Sequence, residues 1–98
     1  MLNTITLVGR LANIEEKEGK TIITLACNRS FKNPDGEYET DFIDFILWGG
    51  VADTTKEYCK KGDIIGVKGR IQTRIENEVK YTDLIAERIT FLSTKKED

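Results

Sequence analysis

The residues best suited to chemistry lie within residues 37–49, which read EYETDFIDFILWG. Because side chains of a β-strand point alternately to opposite faces, this stretch would present two rows. The odd-numbered row suits a hydrophobic core and contains Ile43, Phe45 and Leu47. The even-numbered row contains Tyr38, Phe42, Asp44, Ile46 and Trp48. Flat rings on an open sheet face could stack against unpaired nucleic-acid bases. Burial of both rows, in a sandwich or against a subunit, is the alternative interpretation.

A second feature is a group of cations between residues 64 and 75, a segment without acidic residues. If this segment is a strand, its outward row contains Lys68, Arg70, Gln72 and Arg74. The alternative interpretation is a solvent-exposed edge of the sheet, which would account for a row made of lysines alone. Arginines beside a glutamine fit contacts with phosphates and bases better. Residues 19–34 also contain cations and no acid, whereas residues 35–44 contain acids and no base, so a net charge of −2 is compatible with a positive groove.

The sequence lacks the residues that several catalytic and metal-binding chemistries require. It contains no histidine, which is the commonest general base, and its two cysteines, Cys27 and Cys59, do not form a CxxC pair. It also contains no glycine-rich phosphate loop. We therefore predict a non-enzymatic protein without catalytic residues, metal or cofactor. No apolar run is long enough to span a membrane and no secretory signal is present, so we expect a cytoplasmic protein with reduced thiols.

The elements that position these residues follow from periodicity and turn chemistry. Alternating residues 4–11 and 21–27 predict a hairpin with a polar turn at residues 15–20, and residues 38–48 form the third strand. The run Asn33-Pro34-Asp35-Gly36 predicts a turn before that strand. Strict alternation would point Phe31 inward, so its exposure requires a bulge near residues 28–30.

The second half of the chain predicts one helix and a closing hairpin. Helical spacing from Val51 to Cys59, with a stop at Gly62, predicts about three turns that cover one end of the core and bury Tyr58 and Cys59. Strands at residues 64–74 and 79–92 follow, with a bulge near residues 87–88. Their expected inward residues are Ile65, Val67, Gly69, Ile71, Leu84, Ala86, Ile89 and Phe91.

This β-β-β-α-β-β order predicts an all-β protein with one short helix, folded as a five-stranded OB-fold barrel. The barrel would occupy residues 1–93 as an oligonucleotide-binding domain, and residues 94–98 would be a charged, frayed C-terminus. OB-folds bind oligonucleotides on the face of their central strands and on flanking loops. This placement favours an exposed even-numbered row over the alternative in which both rows of the strand are buried.

Five segments resemble the bacterial single-stranded DNA-binding protein family, of the type found in Gram-positive bacteria. They cover nearly the whole chain in order and read MLNTITLVGRLA, TLACNRSF, DFIDFILWG, YCKKGDIIGVKGRIQTR and AERITFL. The resemblance implies a homotetramer of OB-folds that binds and coats single-stranded DNA without strict sequence specificity in DNA replication, recombination and repair. It also implies that Phe31, Phe42 and Trp48 stack on bases.

The chain departs from the family after its fourth strand, where the usual aromatic residue is replaced by Ile75 and Glu76. Tyr81 could take over its stacking role. The predicted contacts with the DNA backbone, chosen from their placement, are Arg10, Arg29, Lys32, Lys68, Arg70 and Arg74.

Family members typically continue into an acidic tail that recruits replication and repair proteins, whereas this chain ends at Asp98. The chain is either the core of a longer protein or a tail-less paralogue, and such partners are expected only for a longer form. Three alternatives are a dimeric accessory that resembles primosomal replication protein N, a module that docks a protein or a sugar, and a small enzyme. The last is disfavoured by the absence of histidine and of a paired nucleophile and base.

Overall fold

The computed structural model describes residues 1–93, which form five strands and one helix in the predicted order. The strands are β1 (Ile5–Lys17), β2 (Lys20–Lys32), β3 (Tyr38–Leu47), β4 (Ile64–Glu76) and β5 (Val79–Ser93), and helix α1 (Gly49–Tyr58) follows β3. They close into a barrel in the order β1-β2-β3-β5-β4, in which only the β3–β5 pair is parallel among the described strands. This confirms the predicted OB-fold; the predicted frayed end at 94–98 lies outside the described residues.

Both hairpins are longer than the sequence indicated, because their turns contain only two residues. Lys17 pairs with Lys20, which leaves Glu18 and Gly19 as a turn with φ of 52° and 76°. The second hairpin turns at Asn77 and Glu78, with φ of 49° and 65°. Two consecutive positive φ values give the turn whose twist matches antiparallel strands. The polar residues that suggested a longer loop therefore continue the strands into solvent.

The hydrophobic core lies inside the barrel, where the inward rows of the strands meet. Its least exposed members, at 0–1% relative accessibility, are Leu11, Ile23, Leu25, Phe45, Leu47, Ile65 and Val67. Burying a side chain of this size contributes about 1.5–3 kcal/mol. Ala52 and Thr55 of α1 are buried as well, and Cys59 just after the helix is 7% exposed. The predicted core row of β3 and the covering role of α1 are thus confirmed.

Three residues expected in the core are exposed instead. Tyr58 is the last residue of α1 and is 65% exposed, although Thr55 in the preceding turn is buried. Ile71, at 44% exposed, lies opposite Leu84 in the β4–β5 hairpin, and Phe91, at 47%, lies near the end of β5. Periodicity predicts which way a side chain points but not whether another element covers it, and all three lie near the end of an element or beyond the closed barrel.

A bulge in β5 produces the close crossing of β4 and β5. Lys68 pairs with Arg88 while Gly69 pairs with Ala86, so Glu87 has no partner on β4. This confirms the predicted bulge. A Cβ at Gly69 would overlap the carbonyl oxygen of Ile85, so this position requires glycine.

Candidate nucleic-acid interface

The even-numbered row of β3, continued by Trp48 just after the strand, forms an open face on which the rings of Phe42 and Trp48 are exposed. Phe42 is 68% exposed and Trp48 is 50% exposed, so burial of both rows within the chain is excluded. The partner of Phe42 on β2 is Ala26, whose methyl group is too small to cover the ring. The rings therefore have free faces that other aromatic groups can approach.

Phe31 joins this exposed set through an irregularity in β2. Asn28 pairs with Thr40 and the next pair is Lys32 with Tyr38, so three residues of β2 lie opposite one residue of β3. This confirms the bulge that an outward Phe31 requires, and the side chain is 63% exposed. Tyr38 on the other shoulder of the loop is 58% exposed, and the Lys32 Nζ lies 5.7 Å from the centroid of its ring.

A groove of about 510 Å³ runs between the open face of β3 and the β4–β5 hairpin. Phe42, Asp44 and Ile46 line it on the β3 side, and Arg74 and Asp83 line it on the hairpin side. The end of the first hairpin contributes two lysines and one acid, Lys17, Lys20 and Glu18. The groove thus combines an aromatic surface with cations at its margin, which is the combination that binds single-stranded nucleic acid.

Tyr81 lies beside this groove and is held by Arg74. The two residues pair across the hairpin, and the Arg74 Cζ lies 4.5 Å from the centroid of the tyrosine ring, a cation–π geometry. The Arg74 Nε donates a hydrogen bond to the Asp83 Oδ2 at 2.7 Å, and its guanidinium also contacts Glu76. Tyr81 is 42% exposed. Its stacking role stays a prediction.

Two further predicted arginines already have carboxylate partners. The Arg29 Nε and Nη2 donate to the two carboxylate oxygens of Asp41 at 3.0 and 2.9 Å, and Nη1 lies 3.4 Å from Glu39. The hydrogen bond from Arg29 lowers the pKa of Asp41, and the same bond raises the pKa of Arg29. Arg70 approaches Glu87 at 3.4 Å. A phosphate at any of these guanidinium groups must compete with an internal carboxylate.

The remaining predicted cations lie in different surroundings. The Arg10 Nη1 donates a hydrogen bond to the carbonyl oxygen of Gly62 at 2.6 Å. Lys68 lies opposite Thr6 and Arg88 on the outer side of β4, away from the groove lining. The contacts of these cations with a DNA backbone stay predictions.

Lys20 is a functional candidate that the sequence analysis did not select. Its Nζ lies 5.9 Å from the centroid of the Trp48 ring, and it lines the groove. It lies in the acid-free segment at residues 19–34, but the contact with Trp48 depends on the pairing of β2 with β3, where Thr21 faces Leu47. The charge pattern indicated the segment, and only the strand register identified the residue.

The acidic side chains, the helix and the thiols of residues 1–93 add no further functional site. Among these residues, no group of three or more histidine, cysteine or acidic side chains could hold a metal ion. No described helix is long and apolar enough to cross a membrane. Both cysteines are free thiols, and burial raises the pKa of each.

The family model described as "Single-strand binding protein family" matches residues 2–92. The chain belongs to this family. Among curated relatives of the single-strand binding protein family, "Single-stranded DNA-binding protein B" of Bacillus subtilis is 42% identical, over 97% of this chain and 94% of the relative. "Single-stranded DNA-binding protein 1" of Clostridium acetobutylicum is 40% identical, over 98% of each chain.

Solved structures that resemble this member of the single-strand binding protein family share its fold. The Plasmodium falciparum single-stranded DNA-binding protein, solved in complex with single-stranded DNA, superimposes with a TM-score of 0.70 at 24% identity, over 95% of this chain and 96% of the other. The protein from Thermus aquaticus gives a TM-score of 0.74 at 23% identity, over 94% of this chain and 50% of the other.

Proposed function

We propose that this member of the single-strand binding protein family binds and coats single-stranded DNA without strict sequence specificity, and so protects it during replication, recombination and repair. The observation that carries the proposal is a pair of exposed rings, Phe42 on β3 and Trp48 just after it, beside a groove with cations at its margin. The names of the curated relatives support it. The activity is binding without catalysis, which fits a sequence that contains no histidine.

Bases would stack on the rings while cations hold the phosphates. Stacking is tolerant of sequence because every base has a π-face, and each ring contributes about 1–3 kcal/mol. We assign the stacking positions to Phe31, Phe42, Trp48 and Tyr81, and the phosphate contacts to Lys20 and the six cations predicted from the sequence. Displacement of counterions from the phosphates makes the affinity fall as the salt concentration rises.

The fluorescence of Trp48, the single tryptophan of the chain, tests this proposal directly. Oligo-dT and oligo-dC titrated at two salt concentrations should quench the fluorescence, with weaker binding at the higher salt. A duplex of the same length should not, because its bases are unavailable for stacking. If neither single-stranded oligomer quenches the fluorescence or binds in a mobility-shift assay, the proposed function is wrong.

We also propose a homotetramer of residues 1–93 in the cytoplasm, associated with the nucleoid. An apolar surface on the outside of the barrel supports self-association, since Val8 is 58% exposed and Leu92 50% exposed on either side of Gly66. The solution mass measured by light scattering decides between assemblies. A tetramer supports this proposal, whereas a dimer favours the replication-restart accessory. Recruitment of replication and repair proteins is proposed only for a longer form with an acidic tail.

A further inference from the structure

Asp44 is the one acidic residue in the row of exposed and half-buried side chains that faces outward from β3 between Phe42 and Trp48. It is exposed and lines the groove, so it lies where bases would stack under the proposed function. A carboxylate at this point repels phosphates, because both are negatively charged. A bound strand must therefore turn its bases toward Asp44 and its phosphates toward the lysines at the margin.

The hydrogen bonds of Asp44 leave part of its carboxylate free. Thr24, its cross-strand partner on β2, donates its hydroxyl hydrogen to the Asp44 Oδ1 at 2.5 Å. This bond orients the carboxylate above the sheet. Among residues 1–93, no other side chain donates a hydrogen bond to Asp44 and no cation forms an ion pair with it.

Asp83, the second aspartate of the groove, differs from Asp44 because it has a cation as a partner. Its Oδ2 accepts a hydrogen bond from the Arg74 Nε at 2.7 Å, and its side chain is only 14% exposed. The positive charge of Arg74 therefore offsets the negative charge of Asp83. Of the two aspartates that line the groove, Asp44 is therefore the one that a base edge can reach without breaking an ion pair.

An ionised carboxylate accepts hydrogen bonds and donates none. Cytosine and adenine offer it an exocyclic amino group, and guanine offers an amino group beside a ring N–H. Thymine offers one ring N–H between two carbonyl oxygens, and these oxygens repel the carboxylate. Aspartate that reads an amino group of cytosine is a known type of base contact.

We propose that Asp44 is a specificity-determining residue, which favours amino-bearing bases over thymine at the position between Phe42 and Trp48. The inference rests on the proposed function, because it needs single-stranded DNA in this groove. It adds a base preference to a surface whose aromatic rings alone would bind every base. Thr24 is a positioning residue for the carboxylate.

The experiment compares the Kd values of oligo-dC and oligo-dT of equal length for the wild type and for Asp44→Asn. Thymine strands stack least on themselves, so the ratio of the two Kd values in the wild type reflects this property as well as base recognition by Asp44. The change in that ratio between the wild type and Asp44→Asn isolates the contribution of Asp44. Loss of the negative charge should tighten binding of both oligomers. The amide can donate to thymine O4, so the preference for dC relative to dT should fall about fivefold or more.

Glu57→Gln is the matched control, because it removes the same charge from an exposed position on α1. It should leave the ratio of the two Kd values unchanged. An unchanged ratio in Asp44→Asn, with both oligomers still bound, overturns the role of Asp44 and leaves the proposed function standing. Failure of the wild type to bind either oligomer overturns the proposed function itself.

Discussion

Phe42 and Phe45 lie three residues apart on β3 and point to opposite sides of the barrel wall. Phe42 is 68% exposed on the open face, whereas Phe45 is 0% exposed in the core. One strand thus supplies a candidate binding ring and a structural ring of the same chemical type. Substitution of each residue separates the two roles.

Phe42→Ala and Trp48→Ala are expected to weaken binding of single-stranded DNA by about five- to 150-fold, since each stacked base contributes about 1–3 kcal/mol. Both side chains are exposed, so the free energy of unfolding should change by less than about 0.5 kcal/mol. Fluorescence anisotropy of a labelled oligomer measures the first quantity and urea unfolding the second. Trp48→Phe is the conservative control and should retain most of the affinity.

Phe45→Ala, in contrast to Phe42→Ala, is expected to change the stability of the fold. Removal of a fully buried ring should lower the free energy of unfolding by about 3–5 kcal/mol, because it leaves a cavity in the core. Equal losses of stability in Phe42→Ala and Phe45→Ala would contradict the assignment of Phe42 to a free surface.

Gly69→Ala should destabilise the barrel by about 1–3 kcal/mol, since the new methyl group overlaps the carbonyl oxygen of Ile85 and forces β4 and β5 apart. Gly66→Ala is the control on the same strand. The nearest atoms to a Cβ there lie 3.8 Å away, in Leu92 and Thr90, so the change should stay within about 0.5 kcal/mol. Urea unfolding of the two variants tests the close crossing, which would be refuted by a Gly69→Ala protein as stable as Gly66→Ala.

Asp41→Asn is expected to tighten binding of single-stranded DNA about two- to fivefold, because it releases the guanidinium of Arg29 from its bidentate pair. In an Arg29→Gln background the same change should have little effect. The Kd values of the four proteins in this double-mutant cycle measure the coupling. Glu57→Gln controls for net charge, and a gain as large in that variant would rule out a local effect at Arg29.

Glu16 and Lys56 connect the first hairpin to α1, with the Lys56 Nζ 2.5 Å from the Glu16 Oε1. The hydrogen bond from Lys56 lowers the pKa of Glu16, and the bond to Glu16 raises the pKa of Lys56. The carboxylate therefore stabilises the fold above the ordinary glutamate pKa, and this contribution is lost as the pH falls through the lowered value. The lysine contributes below the ordinary lysine pKa, and its contribution is lost as the pH rises through the raised value.

The wild type should accordingly have a higher urea midpoint than Glu16→Gln between roughly pH 5 and pH 10, with the two midpoints converging at either extreme. Because both side chains are exposed, the difference should be small and should shrink in high salt. A difference that persists at the acidic extreme would show that another contact of Glu16 is responsible.

Local patterns in the chain were sufficient to predict the order of the elements and the direction of most side chains. The alternation around Phe42 and Phe45 predicted which ring faces the core, and the bulges near residues 28–30 and at Glu87 were both confirmed. The extra length of β1 was not predictable from hydrophobicity, because the end of its hairpin is exposed and carries no alternating pattern.

By itself, the sequence determined which faces the strands present, where one helix interrupts them, and that histidine is missing from the chain. These properties depend on backbone geometry and on residues that are neighbours in the chain. Only the tertiary structure decided that Asp41 pairs with Arg29, that Lys20 stands over Trp48, and that Tyr58 and Phe91 remain uncovered. Ion pairs, cation–π contacts and burial depend on distances between residues far apart in the chain, and barrel closure sets those distances.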